Sequence, residues 1–321
     1  MLDLLALTTE PATTPSRFFR LHAYEPLFAT EGVCYRIVGL SDGLLARWFT
    51  LLRLPQAKTL LLQKKLIRPF ELDFLRKRYS RIVYDFDDAI YLSKKGSKRF
   101  KHILRSSDQV VAGNRCLAAA AAAFQEKVTV IPTGVDLVRF VPTSMTIEKP
   151  SIVGWIGSYH NLKNLYPLLP VFQEVRDSCR HTEFRYICDH PDNRLNSAGW
   201  TYIKWSRKEE AAMLSELHIG LMPLQDTEYN RGKCGFKAIQ YMAIGAPPIA
   251  SPVGFNCELI KHGVNGLLPM TPAAWGEALQ TLLADPDYYR AMRIKAIERA
   301  KDFDLSKLFV SLKPLLFPPT A

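Results

Sequence analysis

A chain of 321 residues with 48% hydrophobic and 23% charged side chains has the make-up of a soluble globular protein, and two cores of ordinary size are expected rather than one. Collagen-like, low-complexity and disordered classes are excluded. The net charge of +11 sits in the first half: residues 1–150 hold 23 Lys and Arg against 14 Asp and Glu, residues 151–321 hold 19 against 17. Such a bias points to an anionic partner: a membrane surface, a phosphorylated substrate or a nucleic acid. The six cysteines form no CxxC pair, so neither a metal site nor a disulfide framework is predicted, and a reducing cytoplasm is the expected setting.

The opening MLDLLALTTEP carries Asp3 and no basic stretch, which predicts a first strand at 2–7 and not an export signal. Further strands are predicted at 34–39, 59–63, 81–85, 109–112 and 128–131, each a short β-branched or leucine-rich run bounded by turn residues. Helical patterns separate them, which is the signature of parallel α/β layers. The most apolar run, 116–124, is far short of the ~20 residues of a membrane span, so any membrane contact is expected to be peripheral. After an exposed linker at 142–150 the series restarts with strands at 152–156, 183–188, 201–204, 219–223, 248–250 and 266–268. The segment 302–317 reads as a helix packing back on the body. The predicted fold is therefore α/β, with two Rossmann-like doubly wound domains, 1–145 and 146–300, facing across a cleft, and a terminal piece, 301–321. Ligands of open α/β sheets bind at the carboxyl ends of the strands. Neither domain has a GxGxxG turn, which argues against a dinucleotide-dependent oxidoreductase. The absence of a reading helix, RNA-binding strand motif or zinc finger argues against nucleic acid as the partner.

The chemistry is concentrated in RGKCGFKAIQYMAIGAPPIASPVGFNCELIKHGVNGLL, residues 231–268. Arg231, Gly232, Lys233, Gly235 and Lys237 open a short helix, so free N–H groups, the positive helix end and ammonium groups converge as an anion cradle. In YDFDDAIYL (84–92), Asp85, Asp87 and Asp88 crowd the end of a strand, which suits a hydroxyl-rich ligand, base chemistry or a structural cap. Arg17, in TTPSRFFRLH (13–22) with Ser16 as the expected N-cap, is a candidate for the acceptor side or a surface arginine. KKGSKRFKHILR (94–105) spaces Phe100, Ile103 and Leu104 as a basic amphipathic helix, fit for an anionic membrane or merely for solvent.

The 231–268 stretch resembles the donor-binding segment of the retaining GT-B glycosyltransferases of family 4, also called glycosyltransferase group 1. VIPTGVDLVRFVP (130–142), VVAGNRCLAAAA (110–121), IVGWIGSYHNLKNL (152–165) and HGVNGLL (262–268) are similar to further family segments, in the family's order. The resemblance implies a GT-B fold. It also implies a nucleoside-diphosphate sugar bound as co-substrate by the second domain, a glycan or lipid-linked acceptor bound by the first, and transfer with retention. No metal and no other cofactor are implied. It places the diphosphate at Gly157, Ser158 and Lys163. Trp155 stands where many relatives have arginine, so Arg231, Lys233 or Lys237 would supply the second charge. The family's paired glutamates fall on Gly232 and Gln240. Gln240 keeps the means to bond ribose hydroxyls, while the sugar passes to Lys233, Cys234, Gly235 and Phe236. The base is expected at Ile203 and Trp205. A histidine common near the 84–92 segment is missing, leaving Asp87 and Asp88 as the catalytic candidates. The implied role is cell-envelope or polysaccharide synthesis, in the cytoplasm or peripherally at the inner face of the membrane. A non-catalytic sugar-nucleotide or glycan-binding module is the alternative.

Overall fold

The computed structural model describes residues 1–9, 14–93, 96–142, 147 and 149–318. The chain divides into two compact units. Met1–Gly134, Arg231–Cys234 and Leu305–Ala321 form the first, and Val135–Asn230 with Gly235–Asp304 form the second.

In the first unit β1 (Leu2–Thr9), β2 (Tyr35–Leu40), β3 (Ala57–Gln63), β4 (Ile82–Phe86), β5 (Gln109–Ala112) and β6 (Val128–Val130) make one sheet in the order β2-β1-β3-β4-β5-β6, every pairing parallel. Both faces are covered, which is why the strands read as near-continuous apolar runs. Alternate side chains go to opposite faces. Leu5, Leu7, Leu60 and Leu62 pack under one helical layer, and Leu4, Leu61 and Val83 under the other. The first layer is α3 (Leu44–Leu52), α4 (Pro69–Arg78), α5 (Gly96–Ser106) and α6 (Arg115–Ala122). The second holds α1 (Pro15–Arg20) and α2 (Glu25–Thr30) between β1 and β2. Lys94 and Lys95 of the basic run, and residues 143–146 and 148 of the expected linker, lie outside the described residues.

The second unit has β7 (Ile152–Ile156), β8 (Glu183–Cys188), β9 (Thr201–Lys204), β10 (Ile219–Met222) and β11 (Pro248–Ala250), again all parallel, in the order β11-β10-β7-β8-β9. Its helices are α7 (Leu169–Ser178), α8 (Asn193–Ser197), α9 (Glu210–Ser215), α10 (Glu228–Arg231), α11 (Phe236–Ala243), α12 (Asn256–Leu259), α13 (Pro272–Ala284) and α14 (Pro286–Ala300). The last helix, α15 (Leu305–Leu316), belongs to the first unit, where Leu308, Phe309, Leu312 and Leu316 join the Leu4, Leu61 and Val83 cluster.

Two local expectations are corrected. The predicted strand 266–268 is reduced to two isolated bridges, His262 with Gly266 and Ile249 with Leu267. Leu267 exchanges hydrogen bonds with Pro248 and Ala250 at 2.9 and 3.0 Å, but the Leu268 N–H turns to His262 Nδ1, and Pro269 has no N–H with which to continue a ladder. Ser16 does not cap α1. Pro15 occupies the first turn with Thr14 before it, and Ser16 Oγ instead accepts from Gln63 Nε2 at 3.2 Å. Among the described residues no helix is long and apolar enough to cross a membrane.

Candidate functional site

Two donor-side candidates of the second unit, Gly157 and Lys237, lie together at the carboxyl end of β7. The strand ends at Ile156, whose N–H donates to Tyr241 Oη at 3.0 Å. Tyr241 is buried on α11, so this bond ties the helix to the strand that leads into Gly157. One turn earlier on α11, Lys237 lays Nζ 4.9 Å from the centre of the Trp155 ring. A methyl group on Gly157 would come within 2.6 Å of that ring and 2.7 Å of Lys237 Nζ. The absence of a side chain at Gly157 therefore lets the indole and the ammonium group lie close against the backbone at the end of β7. α11 begins after Gly235, held at φ 63, a conformation that glycine adopts without penalty. An α-helix carries partial positive charge at this end, where an anion is stabilised. Ser158 precedes a 3-10 helix, Tyr159–Asn164, and its hydroxyl accepts from Asn161 Nδ2 at 2.7 Å. Lys163 lies on that helix with its side chain exposed.

Gln240 is buried on the same α11, and its Nε2 donates to Glu210 Oε1 at 2.8 Å. Glu210, at the start of α9, is itself 4% exposed, and its Oε2 is buried without a hydrogen bond. Burial raises its carboxyl above the usual range, opposed by Gln240, Arg139 and Arg207. Ile203 and Trp205 are half-buried against the same cluster. Nothing in the sequence marks Glu210 as a partner thirty residues away.

In the first unit the carboxylates separate into two groups. Asp85 is buried, and both its oxygens accept from Arg20 Nε, at 3.1 and 2.8 Å, with a further bond from Nη2. Arg20 Nη1 donates to Ile131 O at 2.9 Å. Burial raises the Asp85 carboxyl, against the pull of Arg20. Asp85 is therefore a buried ion-pair member with both oxygens held by Arg20, and its expected place on the acceptor side is corrected. Arg17 is 9% exposed, which corrects the reading as a surface arginine, and its Nε donates to His22 Nε2 at 3.2 Å.

Asp87 and Asp88, by contrast, share Lys64, whose Nζ lies 3.2 Å from Asp87 Oδ1 and bonds Asp88 Oδ2. Burial works against the Lys64 ammonium, but Asp87 and Asp88 outweigh it and hold its pKa above the ordinary lysine value. Burial, opposed by Lys64 and reinforced by Asp87, raises the Asp88 carboxyl; Lys233 also opposes this rise. Lys64 has φ 61, the only positive value outside glycine among the described residues. A lysine in this region costs about 1 kcal/mol or more, and such strain gathers at functional sites.

The 231–234 segment is docked onto the same end of the first sheet. Asn114 caps α6 by accepting from Leu117 N at 2.8 Å, and its Nδ2 donates to the carbonyls of Gly232 and Lys233, both at 3.1 Å. A methyl group on Gly232 would lie 2.8 Å from Ala89 Cβ. A glutamate at this position, as the family resemblance would have, has no room. Cys234 is 7% exposed and its thiol donates to Asp87 O at 3.1 Å. Burial, then Asp87, keeps it a bound thiol, so any contact of Cys234 with a sugar is left to its backbone. Replacing Asn114 with alanine removes a helix cap and strands two carbonyls, so we expect a loss of about 2–3 kcal/mol in stability, read from urea midpoints.

Residues 150–285 match the family model described as Glycosyl transferases group 1. Over 230 residues the chain is 25% identical to a D-inositol 3-phosphate glycosyltransferase of Nocardia farcinica, covering 63% of this chain and 51% of the relative. The chain thus spans about half the length of that relative. Among solved structures it is similar to sucrose-phosphate synthase from Thermosynechococcus elongatus, with a TM-score of 0.76 and 15% identity over 98% of both chains. HepE from Anabaena, solved in complex with UDP-glucose, gives 0.73 and 12% over 98% of this chain and 99% of that one. These likenesses show the fold: two parallel Rossmann-like sheets of the GT-B glycosyltransferase type.

Proposed function

We propose that this protein is a glycosyltransferase that moves a sugar from a nucleoside-diphosphate sugar to an acceptor hydroxyl, with retention of configuration and without a metal. The observation that carries this reading is the Lys237 ammonium group held over Trp155 and against Gly157, beside the amino end of α11. A departing diphosphate needs fixed positive charge and oriented N–H dipoles where its own charge grows. Lys237 and the helix amides supply both, with Lys163 and Ser158 as further partners. The acceptor oxygen forms a bond to the anomeric carbon as the bond to the diphosphate breaks on the same face, and a phosphate oxygen takes the hydroxyl proton. Asp87 and Asp88, fixed by Lys64, accept hydrogen bonds from acceptor hydroxyls. The acceptor is a cell-envelope, lipid-linked or polysaccharide glycan. It is met at the inner face of the membrane, where the basic face of α5 contacts anionic lipid.

The test is incubation with UDP-, GDP-, ADP- and dTDP-sugars in the presence and absence of EDTA, following nucleoside diphosphate release and the anomeric configuration of the product by NMR. Retained configuration and indifference to EDTA are expected. Tight glycan binding with no response to any nucleotide sinks the transferase reading in favour of a binding module.

Gln240 and Glu210 supply the ribose end. A carboxylate only accepts, so Gln240 must turn its NH2 to Glu210 and offer its carbonyl oxygen to a hydroxyl. Glu210→Gln frees that amide to flip. It is expected to weaken nucleoside-diphosphate binding about tenfold and to erase the preference for UDP over 2′-deoxy-UDP in calorimetric titrations.

A further inference from the structure

The helical layer over the first sheet carries an apolar surface that neither the sheet nor the proposed chemistry uses. α3 turns Arg47 and Leu51 inward, while Leu45, Phe49 and Leu52 stand 74%, 60% and 46% exposed. Their spacing of four and three residues puts them in one stripe on the outer face of the helix. Phe70, in the first turn of α4, is 47% exposed. Trp48 joins the two helices, its ring 5.5 Å from Phe70 and 5.1 Å from Phe74. The result is a ridge of large apolar side chains along α3 and the start of α4. Scattered exposed apolar residues are ordinary, but a contiguous set of this kind marks an interaction surface.

The next helix of the same layer is strongly basic. α5 buries Phe100, Ile103 and Leu104 and leaves Lys98, Lys101 and Arg105 exposed. It is pinned to α4 by His102 Nε2 on Asp73 Oδ1 at 3.0 Å, and Arg99 Nη1 donates to Leu66 O at 3.3 Å. Exposed Arg53 and Lys77 continue the positive charge at the far ends of α3 and α4. Of the acids on these helices, Glu71 is fully buried on Arg47, and Asp73, its side chain 59% exposed, bonds His102. An apolar ridge rich in Phe, Leu and Trp with a cationic flank matches the boundary of an anionic bilayer, where aromatic rings enter the headgroup layer and Lys and Arg meet phosphates.

We infer that the α3–α4 ridge inserts into the headgroup region of an anionic lipid bilayer, with the exposed face of α5 resting on the phosphates beside it. This deepens the membrane contact of the proposed function by assigning the anchoring to α3 and α4, and it does not rest on any donor-site residue. α5 alone would give only a salt-labile attraction; the ridge adds a part that salt does not screen.

The test is co-flotation of the whole chain with vesicles of phosphatidylcholine, with and without phosphatidylglycerol, at low and high salt. Wild type is expected to float with the anionic vesicles and to keep part of that binding at high salt. The double variant Leu45→Ser, Phe49→Ser, whose positions are exposed and leave the core intact, should lose about tenfold in partitioning and all salt-resistant binding. Lys98→Glu with Lys101→Glu should instead lose the preference for phosphatidylglycerol. Unchanged flotation of the double variant overturns the inference. So does a wild type that ignores vesicles but forms a dimer which the double variant dissolves, because the ridge then belongs to a second copy. A nucleotide thermal shift, the same in wild type and double variant, keeps this outcome separate from the fate of the transferase reading.

Discussion

Lys237→Ala lowers kcat/KM with the preferred nucleotide sugar by about 10²–10³-fold, the cost of removing one preorganised partner of a developing anion. The ammonium group stands 4.9 Å from the centre of the Trp155 ring, against Gly157. It is thus placed before any ligand arrives. Lys237→Arg retains part of the activity, since the charge remains but the planar fork is larger than the amine it replaces. Gly157→Ala is expected to match Lys237→Ala by a different route: its methyl group would overlap both the indole and the ammonium and displace them. Steady-state kinetics with each variant, alongside melting curves to confirm folding, check both. An alanine variant at position 237 with wild-type kcat/KM overturns the diphosphate assignment.

Arg20→Ala destabilises the first unit by about 3–5 kcal/mol, because it leaves the Asp85 carboxylate buried without a counter-charge. For a unit of this size that is roughly a 6–20 °C fall in melting temperature. The loss depends on pH with a definite sign. Burial already raises the Asp85 carboxyl against the pull of Arg20, so removing the arginine raises it further while the unfolded value stays ordinary. Between those two values the folded state holds more protons than the unfolded one, and stability falls as pH rises through that window. The deficit of Arg20→Ala is therefore greatest at neutral pH and shrinks as the pH approaches the ordinary carboxylate range. Arg20→Met with Asp85→Asn should recover most of it, since no unpaired charge is then buried. Urea titrations across that range read all three. A deficit independent of pH would mean that Arg20 acts by packing alone.

The strands of both sheets were legible because each is a short apolar run closed by turn residues, and a parallel sheet buried on both faces demands that pattern. The exception, 266–268, has the right residues but forms only isolated bridges, and strand pairing is a property of two segments rather than one. Gly157 and Lys237 were each legible as diphosphate candidates from local composition and family likeness. That they lie against each other follows from the seating of α11 by Tyr241 on β7, which no local pattern states. Asp85, Asp87 and Asp88 look alike in YDFDDAIYL, yet strand alternation and distant cations give them different fates. Asp85 meets Arg20, 65 positions away, while Asp87 and Asp88 meet Lys64 across a turn held at φ 61. Gly232 read as the loss of a glutamate, and the structure supplies the reason in the 2.8 Å that a methyl group would leave to Ala89. Patterning along the chain thus settles which segments become strands and helices, because burial acts on each segment's own periodicity. Which charges are neutralised, which polar atoms are spent and which apolar faces stay uncovered depends on segments far apart in the chain. Those outcomes were decided only by tertiary packing, where ion pairs and close contacts form between whatever the topology brings within a few ångströms.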